Sequence, residues 1–241
     1  MSTFLLIHGA WHGGWCWRKV VPLLQAKGHT VLAPDLPGHG DDKTPTAQVT
    51  LNLYADRIRR IASSQPEPAI LVGHSMGGSA ITQAAENCPS MVRALVYMCA
   101  FLPRNGDSLT TWASQDSESL VVSTNMIRLA KGVVVMKPEA VHEAFYAMCP
   151  DEDAEFARSR LVPQSTQPFH TPVVTTPARW GAIPRYYIEC NRDRALTLPT
   201  QKEMQKHSPC RQAFTIDTDH SPFFSAVEEL VDILVRIGRL V

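Results

Sequence analysis

Ala69-Ile70-Leu71-Val72-Gly73-His74-Ser75-Met76-Gly77-Gly78-Ser79-Ala80 is an apolar run that closes in G-x-S-x-G and continues in small residues. The run reads as a strand, and Ser79 to Glu86, ended by Asn87-Cys88-Pro89, reads as a helix. A serine at such a strand-to-helix turn is a nucleophile elbow, strained so that its hydroxyl projects above the sheet edge. Gly73 and Gly77 are expected there because a side chain at either place would strike the neighbouring strand or helix. A glycine-rich βα turn without chemistry is the plainer alternative.

Outward from this turn the chain alternates. Phe4-Leu5-Leu6-Ile7 and Thr30-Val31-Leu32-Ala33 read as buried strands, and Trp17 to Lys27 and Leu51 to Ile61 as helices. Met91 to Met98, Arg185 to Cys190 and Gln212 to Ile216 supply further strands, with helices from Pro199 to His207 and Val227 to Ile237. This order predicts an α/β fold, a mostly parallel sheet with helices on both faces. Residues 104–184 break the alternation, and their clearest segments, Pro138 to Ala147 and Asp151 to Leu161, are helical. They are expected to form a small helical cap inserted into a core of residues 1–103 and 185–241. Within it Met126, Met136, Phe145, Tyr146, Met148 and Phe156 are candidates for a pocket wall or for the cap's own packing.

The chain has 241 residues, 44% of them hydrophobic, enough for one large domain with a full core. Its 23 basic and 23 acidic residues form no charged tract, so nothing points to nucleic acid or an anionic membrane, and small neutral partners fit better. The segment Met1 to Ile7 lacks a basic region and meets His8-Gly9 after four apolar residues, which is expected of neither a signal peptide nor a membrane span. A cytoplasmic protein is expected. The six cysteines have no C-x-x-C spacing and read as reduced core residues.

Three loops converge on the elbow if the sheet is parallel. His8-Gly9-Ala10-Trp11-His12-Gly13-Gly14-Trp15 leaves the first strand at its carboxyl end, where such sheets bind ligands. The backbone N–H groups of Ala10 and Met76 are the candidate oxyanion donors. His8 and His12 read first as buried loop-formers, with a direct catalytic role as the alternative. Trp11 and Trp15 suit either a pocket wall or plain core. Asp193 and His220 follow the last two strands, giving the chain order serine, acid, histidine. His220 is the candidate base and Asp193 the candidate partner of its Nδ1, with Asp107 second in line. Asp219 is too close in sequence to fold onto the His220 ring and reads as a loop-former, as does Asp35. His74 reads as a packing residue of the elbow.

His8-Gly9-Ala10-x-His12-Gly13-Gly14-Trp15-x-Trp17, Gly73 to Gly78, Cys190-x-x-Asp193 and Asp219-His220 together resemble the α/β-hydrolase branch of plant methylesterases and hydroxynitrile lyases. Cys149-Pro150-x-x-Asp153 and Leu161-Val162-Pro163 extend the likeness over nearly the whole chain. The resemblance implies a serine hydrolase without metal or organic cofactor, with Ser75, Asp193 and His220 catalytic and Ala10 and Met76 as oxyanion donors. Trp11, Phe145 and Met126 are the substrate-binding candidates. Lyases of this branch carry threonine after the first histidine and lysine after the catalytic one. Here Gly9 and Ser221 stand there, favouring ester hydrolysis, and the small Gly9 is expected to leave room for a tetrahedral intermediate. A small-molecule ester is the expected partner and a homodimer is admitted. A lyase using the same triad and a non-catalytic ligand receptor are the competing readings.

Overall fold

Phe4, Leu5, Leu6 and Ile7 are completely buried, as a strand covered on both faces must be, and each contributes about 1.5–3 kcal/mol of hydrophobic stabilisation. The computed structural model describes residues 1–241, the side chain of Ser123 excepted. The core strands are β1 (Thr3–Ile7), β2 (Thr30–Leu32), β3 (Ala69–His74) and β4 (Val92–Met98), joined by α1 (Val20–Ala26), α2 (Leu51–Ser63) and α3 (Gly77–Asn87). Residues 104–184 carry α4 (Leu109–Ala113), β5 (Met126–Ala130), β6 (Val133–Met136), α5 (Pro138–Phe145), α6 (Asp151–Arg158), β7 (Gln164–Ser165) and α7 (Gln167–His170). The core resumes with β8 (Arg185–Cys190), α8 (Leu198–His207), β9 (Gln212–Ile216), α9 (Pro222–Ser225) and α10 (Val227–Leu240).

The six core strands lie in the order β2-β1-β3-β4-β8-β9, all parallel. From β1 the chain steps outward to β2 and then returns to pair β3 on the other side of β1. That reversal opens a crevice at the carboxyl ends of β1 and β3, where parallel sheets bind ligands. The register pairs Ile7 with Gly73, so the loop after β1 and the elbow after β3 emerge side by side. Helix α1 packs on α10 and α2 on α3, covering the sheet in two groups. Helix starts follow local chemistry: Thr50 Oγ1 accepts the Leu53 N–H at 3.2 Å, and Asp151, Glu152 and Asp153 occupy the first turn of α6.

Two expectations need correction. The stretch from Trp17 is not one helix, because Gly14–Trp17 forms a 3-10 turn that buries Cys16 and Trp17, and α1 starts at Val20. The inserted segment is not purely helical. Strands β5, β6 and β7 form an antiparallel sheet, with Lys131-Gly132 as the β5–β6 turn and Gly132 at φ +73°. Its last part, after α7, packs on the core. Gln83 of α3 bonds Val174, Glu86 accepts from Thr176 and the Trp180 N–H, and Trp180 Nε1 donates to Tyr97 Oη.

Candidate active site

Ser75 sits at φ +52°, a left-handed conformation that a non-glycine residue adopts only where its surroundings enforce it. Close packing enforces it here. A Cβ on Gly73 would come within 2.7 Å of Gly77 O, and one on Gly77 within 2.8 Å of Ile7 O and His8 O. The turn is held from the next strand too, since the Ser75 N–H donates to Met98 O and Ser75 O accepts from Phe101. Ser75 and Met76 line a cavity of about 290 Å³ whose walls are mostly apolar. Trp11, Phe145 and Met126 line that same cavity, one from the loop after β1 and two from the inserted segment.

In the loops after β8 and β9, His220 Nδ1 lies 2.7 Å from Asp193 Oδ2, with both residues buried. The other carboxylate oxygen, Oδ1, accepts the N–H groups of Ala195 at 2.7 Å and Leu196 at 2.9 Å. Burial pushes the Asp193 carboxyl up from its ordinary range, while His220 and these N–H donors pull it down. Among the described residues no direct hydrogen bond joins Ser75 Oγ to His220 Nε2; such contacts commonly tighten only with substrate bound. The two are linked through the backbone instead. His74 Nε2 donates to His220 O at 2.9 Å, and the two imidazole rings lie 4.5 Å apart. His74 therefore ties the elbow to the loop that carries His220, a part beyond packing alone.

Asp107 is engaged elsewhere, accepting from Arg104 and from Trp112 Nε1. Asp219 accepts the N–H groups of Met148 and Ser221 and the Ser225 hydroxyl, with Cys149 Sγ 3.5 Å away. It joins the inserted segment to the loop that carries His220. Asp153 pairs with Arg18 and Lys19, anchoring α6 to the core. Asp35 accepts from the Gly14 and Asp41 N–H groups and so braces two turns.

Around the loop after β1 the histidines hold the backbone. His8 Nδ1 donates to Gly9 O at 2.8 Å and its Nε2 accepts the Leu36 N–H. His12 Nδ1 donates to Ala10 O at 2.7 Å and its Nε2 accepts from Tyr146 Oη at 2.8 Å. Burial is the main cause that lowers both, to about 3 for His12, so each stays neutral and keeps one donor and one acceptor. Among the described residues neither the Ala10 N–H nor the Met76 N–H donates to a protein acceptor. Met76 is also the N-cap residue of α3, the positive end of that helix dipole.

Of the other pocket candidates, Tyr146 is spent on His12, Met136 lines a separate depression, Met148 is exposed, and Phe156 packs under Arg18 and Arg160. None of these four lines the cavity at Ser75. Gly9 leaves less room than expected, because a Cβ there would meet the His74 ring and Ser75 Cβ at 2.9 Å. Residues that sequence reading passed over also contribute. Asp116 and Ser119 line the cavity and bind the turn after Asp193, through Thr197 and Ala195 O, and Gln164 reaches the loop after β1. No motif marks them.

His74, Cys99 and His220 place potential metal-ligand atoms within 4.8 Å of one another. The set suits a cation poorly: burial pushes the Cys99 thiol up and keeps it protonated, whereas a metal needs the thiolate.

The α/β-hydrolase family model matches residues 4–233. The chain belongs to the α/β-hydrolase family. Within it the hydrolase falls in the branch of the plant methylesterases. It is 32% identical to methylesterase 7 of Arabidopsis thaliana, across 98% of this chain and 96% of that one. Polyneuridine aldehyde esterase superposes with a TM-score of 0.88 at 25% identity, covering 99% of both chains. A pyrethroid hydrolase from Sphingobium faniae gives 0.87 at 29% identity, covering 99% of this chain and 97% of that one.

The buried neutral histidines give the hydrolase a definite response to acid. His8, His12, His39 and His74 all titrate below the ordinary imidazole value of 6.5, with burial as the largest cause in each. Below about pH 6.5 the unfolded chain therefore binds more protons, and stability falls with pH by up to about 1.4 kcal/mol per pH unit for each histidine. Asp193, raised by burial, works in the opposite direction but only nearer the carboxylate range. The urea midpoint is expected to hold above about pH 7 and to drop sharply by about pH 5. An unchanged midpoint over that interval contradicts neutral, buried imidazoles.

Proposed function

We propose that this hydrolase is a serine carboxylesterase acting on small esters, with Ser75 as nucleophile, His220 as general base and Asp193 as its orienting acid. The observation that carries the reading is the strained Ser75 facing an apolar cavity beside two unpartnered N–H groups, those of Ala10 and Met76. Ser75 Oγ bonds to the ester carbonyl carbon as its proton passes to His220 Nε2, and the carbonyl electron pair moves onto an oxygen received by the two N–H groups. Collapse expels the alcohol, which takes the proton from His220. Water then repeats the sequence on the acyl-serine and frees the acid. No step calls for a metal or organic cofactor. Trp11, Phe145 and Met126 supply apolar contact for the substrate, with residues 104–184 as the cap.

Relatives named as methylesterases and esterases support this chemistry over the lyase and receptor alternatives. Two positions argue the same way. Cyanohydrin cleavage leaves cyanide needing a cation beside the base, and the fully buried Ser221 offers none. The crowding at Gly9 excludes a threonine hydroxyl without displacing His74. The reading also suits a reducing cytoplasm, since all six cysteines are unpaired. Among the described residues no helix is long and apolar enough to cross a membrane. The proposed site draws on one chain and does not depend on a homodimer. Assayed in one buffer, the protein is expected to hydrolyse methyl or p-nitrophenyl esters of small acids and to release negligible cyanide from mandelonitrile. Cyanide release without ester turnover overturns the proposal.

A further inference from the structure

The loop that carries the Ala10 N–H is pinned peptide by peptide. In the Gly9–Ala10 peptide the carbonyl is held by His8 Nδ1, which leaves the N–H unpartnered. In the Ala10–Trp11 peptide the carbonyl is held by His12 Nδ1 and the N–H by Gln164 Oε1, at 3.2 Å. Trp11 stands at φ +62°, a conformation unfavourable for a bulky residue and stable only where the surroundings over-determine it. Those surroundings belong to the inserted segment: besides Gln164, the Val162 N–H donates to Trp11 O at 3.0 Å and Trp11 Nε1 donates to Val134 O at 3.3 Å. Gln164 is completely buried and fully used. Its Oε1 also accepts from His39 Nε2 at 2.8 Å, and its Nε2 donates to Tyr54 Oη and Ser165 O.

We propose that Gln164 is the positioning residue of the oxyanion loop, fixing the Ala10–Trp11 peptide so that the Ala10 N–H faces the carbonyl oxygen attacked by Ser75. This rests on the esterase reading above. Gln164 touches no reacting atom. It acts through the Trp11 N–H, holding a backbone turn that would otherwise relax toward negative φ and rotate the Ala10 donor away. The inserted segment then completes the oxyanion site as well as roofing the cavity.

A donor that serves the oxyanion acts on the transition state and on its mimics, not on substrate binding. An aryl trifluoromethyl ketone is the probe. Ser75 Oγ bonds to its carbonyl carbon, the carbonyl pair becomes the oxyanion, and the serine proton rests on His220. Gln164→Met preserves volume and removes the acceptor. It is expected to lower kcat for a p-nitrophenyl ester by about tenfold or more and to weaken trifluoromethyl ketone inhibition by the same factor. KM should stay within about twofold, because acylation and deacylation both pass through the oxyanion and slow together. Gln164→Glu, protonated in its buried setting, keeps an acceptor for the Trp11 N–H and a donor for Ser165 O. It is expected to hold kcat within about threefold even where its melting temperature falls. A general structural role would instead make activity follow stability across the two variants. Wild-type kcat and inhibition in folded Gln164→Met, or equal losses in both variants, overturns the inference alone. An unmodified protein inert toward every ester overturns the esterase reading and this inference with it.

Discussion

Ser75→Ala lowers ester turnover by about six orders of magnitude, leaving only what the oxyanion donors and substrate binding supply, while the fold and melting temperature hold. The size follows from the site's construction. Thr110, Ser119 and Thr166 also line the cavity, but among the described residues Ser75 is the one lining hydroxyl that stands on a strained turn, directly before Met76. Folding survives because the change removes one oxygen that makes no hydrogen bond among the described residues, and the close contacts at Gly73 and Gly77 are untouched. Turnover within about a hundredfold of the unmodified protein would move the nucleophile elsewhere.

Asp193→Asn costs about four orders of magnitude in turnover, with folding again retained. The direction comes from the hydrogen bonds around the carboxylate. Oδ1 accepts two N–H groups, from Ala195 and Leu196, so the asparagine oxygen stays there and its NH2 takes the Oδ2 place, facing His220 Nδ1. Nδ1 must then accept, the ring proton shifts to Nε2, and the side that should receive the serine proton is already occupied. Asp107→Asn provides the contrast. Its carboxylate serves Arg104 and Trp112, so that change trims local stability and leaves turnover near the unmodified level. A larger activity loss in Asp107→Asn than in Asp193→Asn would move the acid to the end of β4.

The core was legible because its strands are short, mostly apolar and followed by glycine or chemistry-bearing residues. Arg185–Cys190 and Gln212–Ile216 stand where their apolar runs place them, and β1 and β3 differ from their reading by a residue or two at the ends. Ser75, Asp193 and His220 could be singled out because a parallel sheet brings every strand's carboxyl end to one edge. The inserted segment was harder. Val133-Val134-Val135-Met136 after Gly132 is a hairpin signal, but a helical reading of α5 and α6 on its far side overshadowed it. Aromatic and methionine content singled out six pocket candidates without saying which way any of them faced. Phe145 and Met126 reach the cavity, whereas Phe156 is drawn away by Arg18 and Arg160. Gln164, Asp116 and the second task of His74 had no sequence signal, since each depends on a partner more than 70 residues distant that only the folded chain supplies.

The central claim is covalent: an ester's acyl group resides for a time on Ser75. Mixing the protein with excess p-nitrophenyl ester in a stopped-flow instrument and quenching within the first turnover tests it directly, with the quenched protein digested for peptide mass analysis. The account predicts a burst of p-nitrophenol approaching one equivalent per chain when deacylation is the slower step, and the acyl mass on the peptide containing Ser75. Multiple turnovers with no acyl mass on that peptide at any quench time, or acyl mass on a different residue, would contradict it.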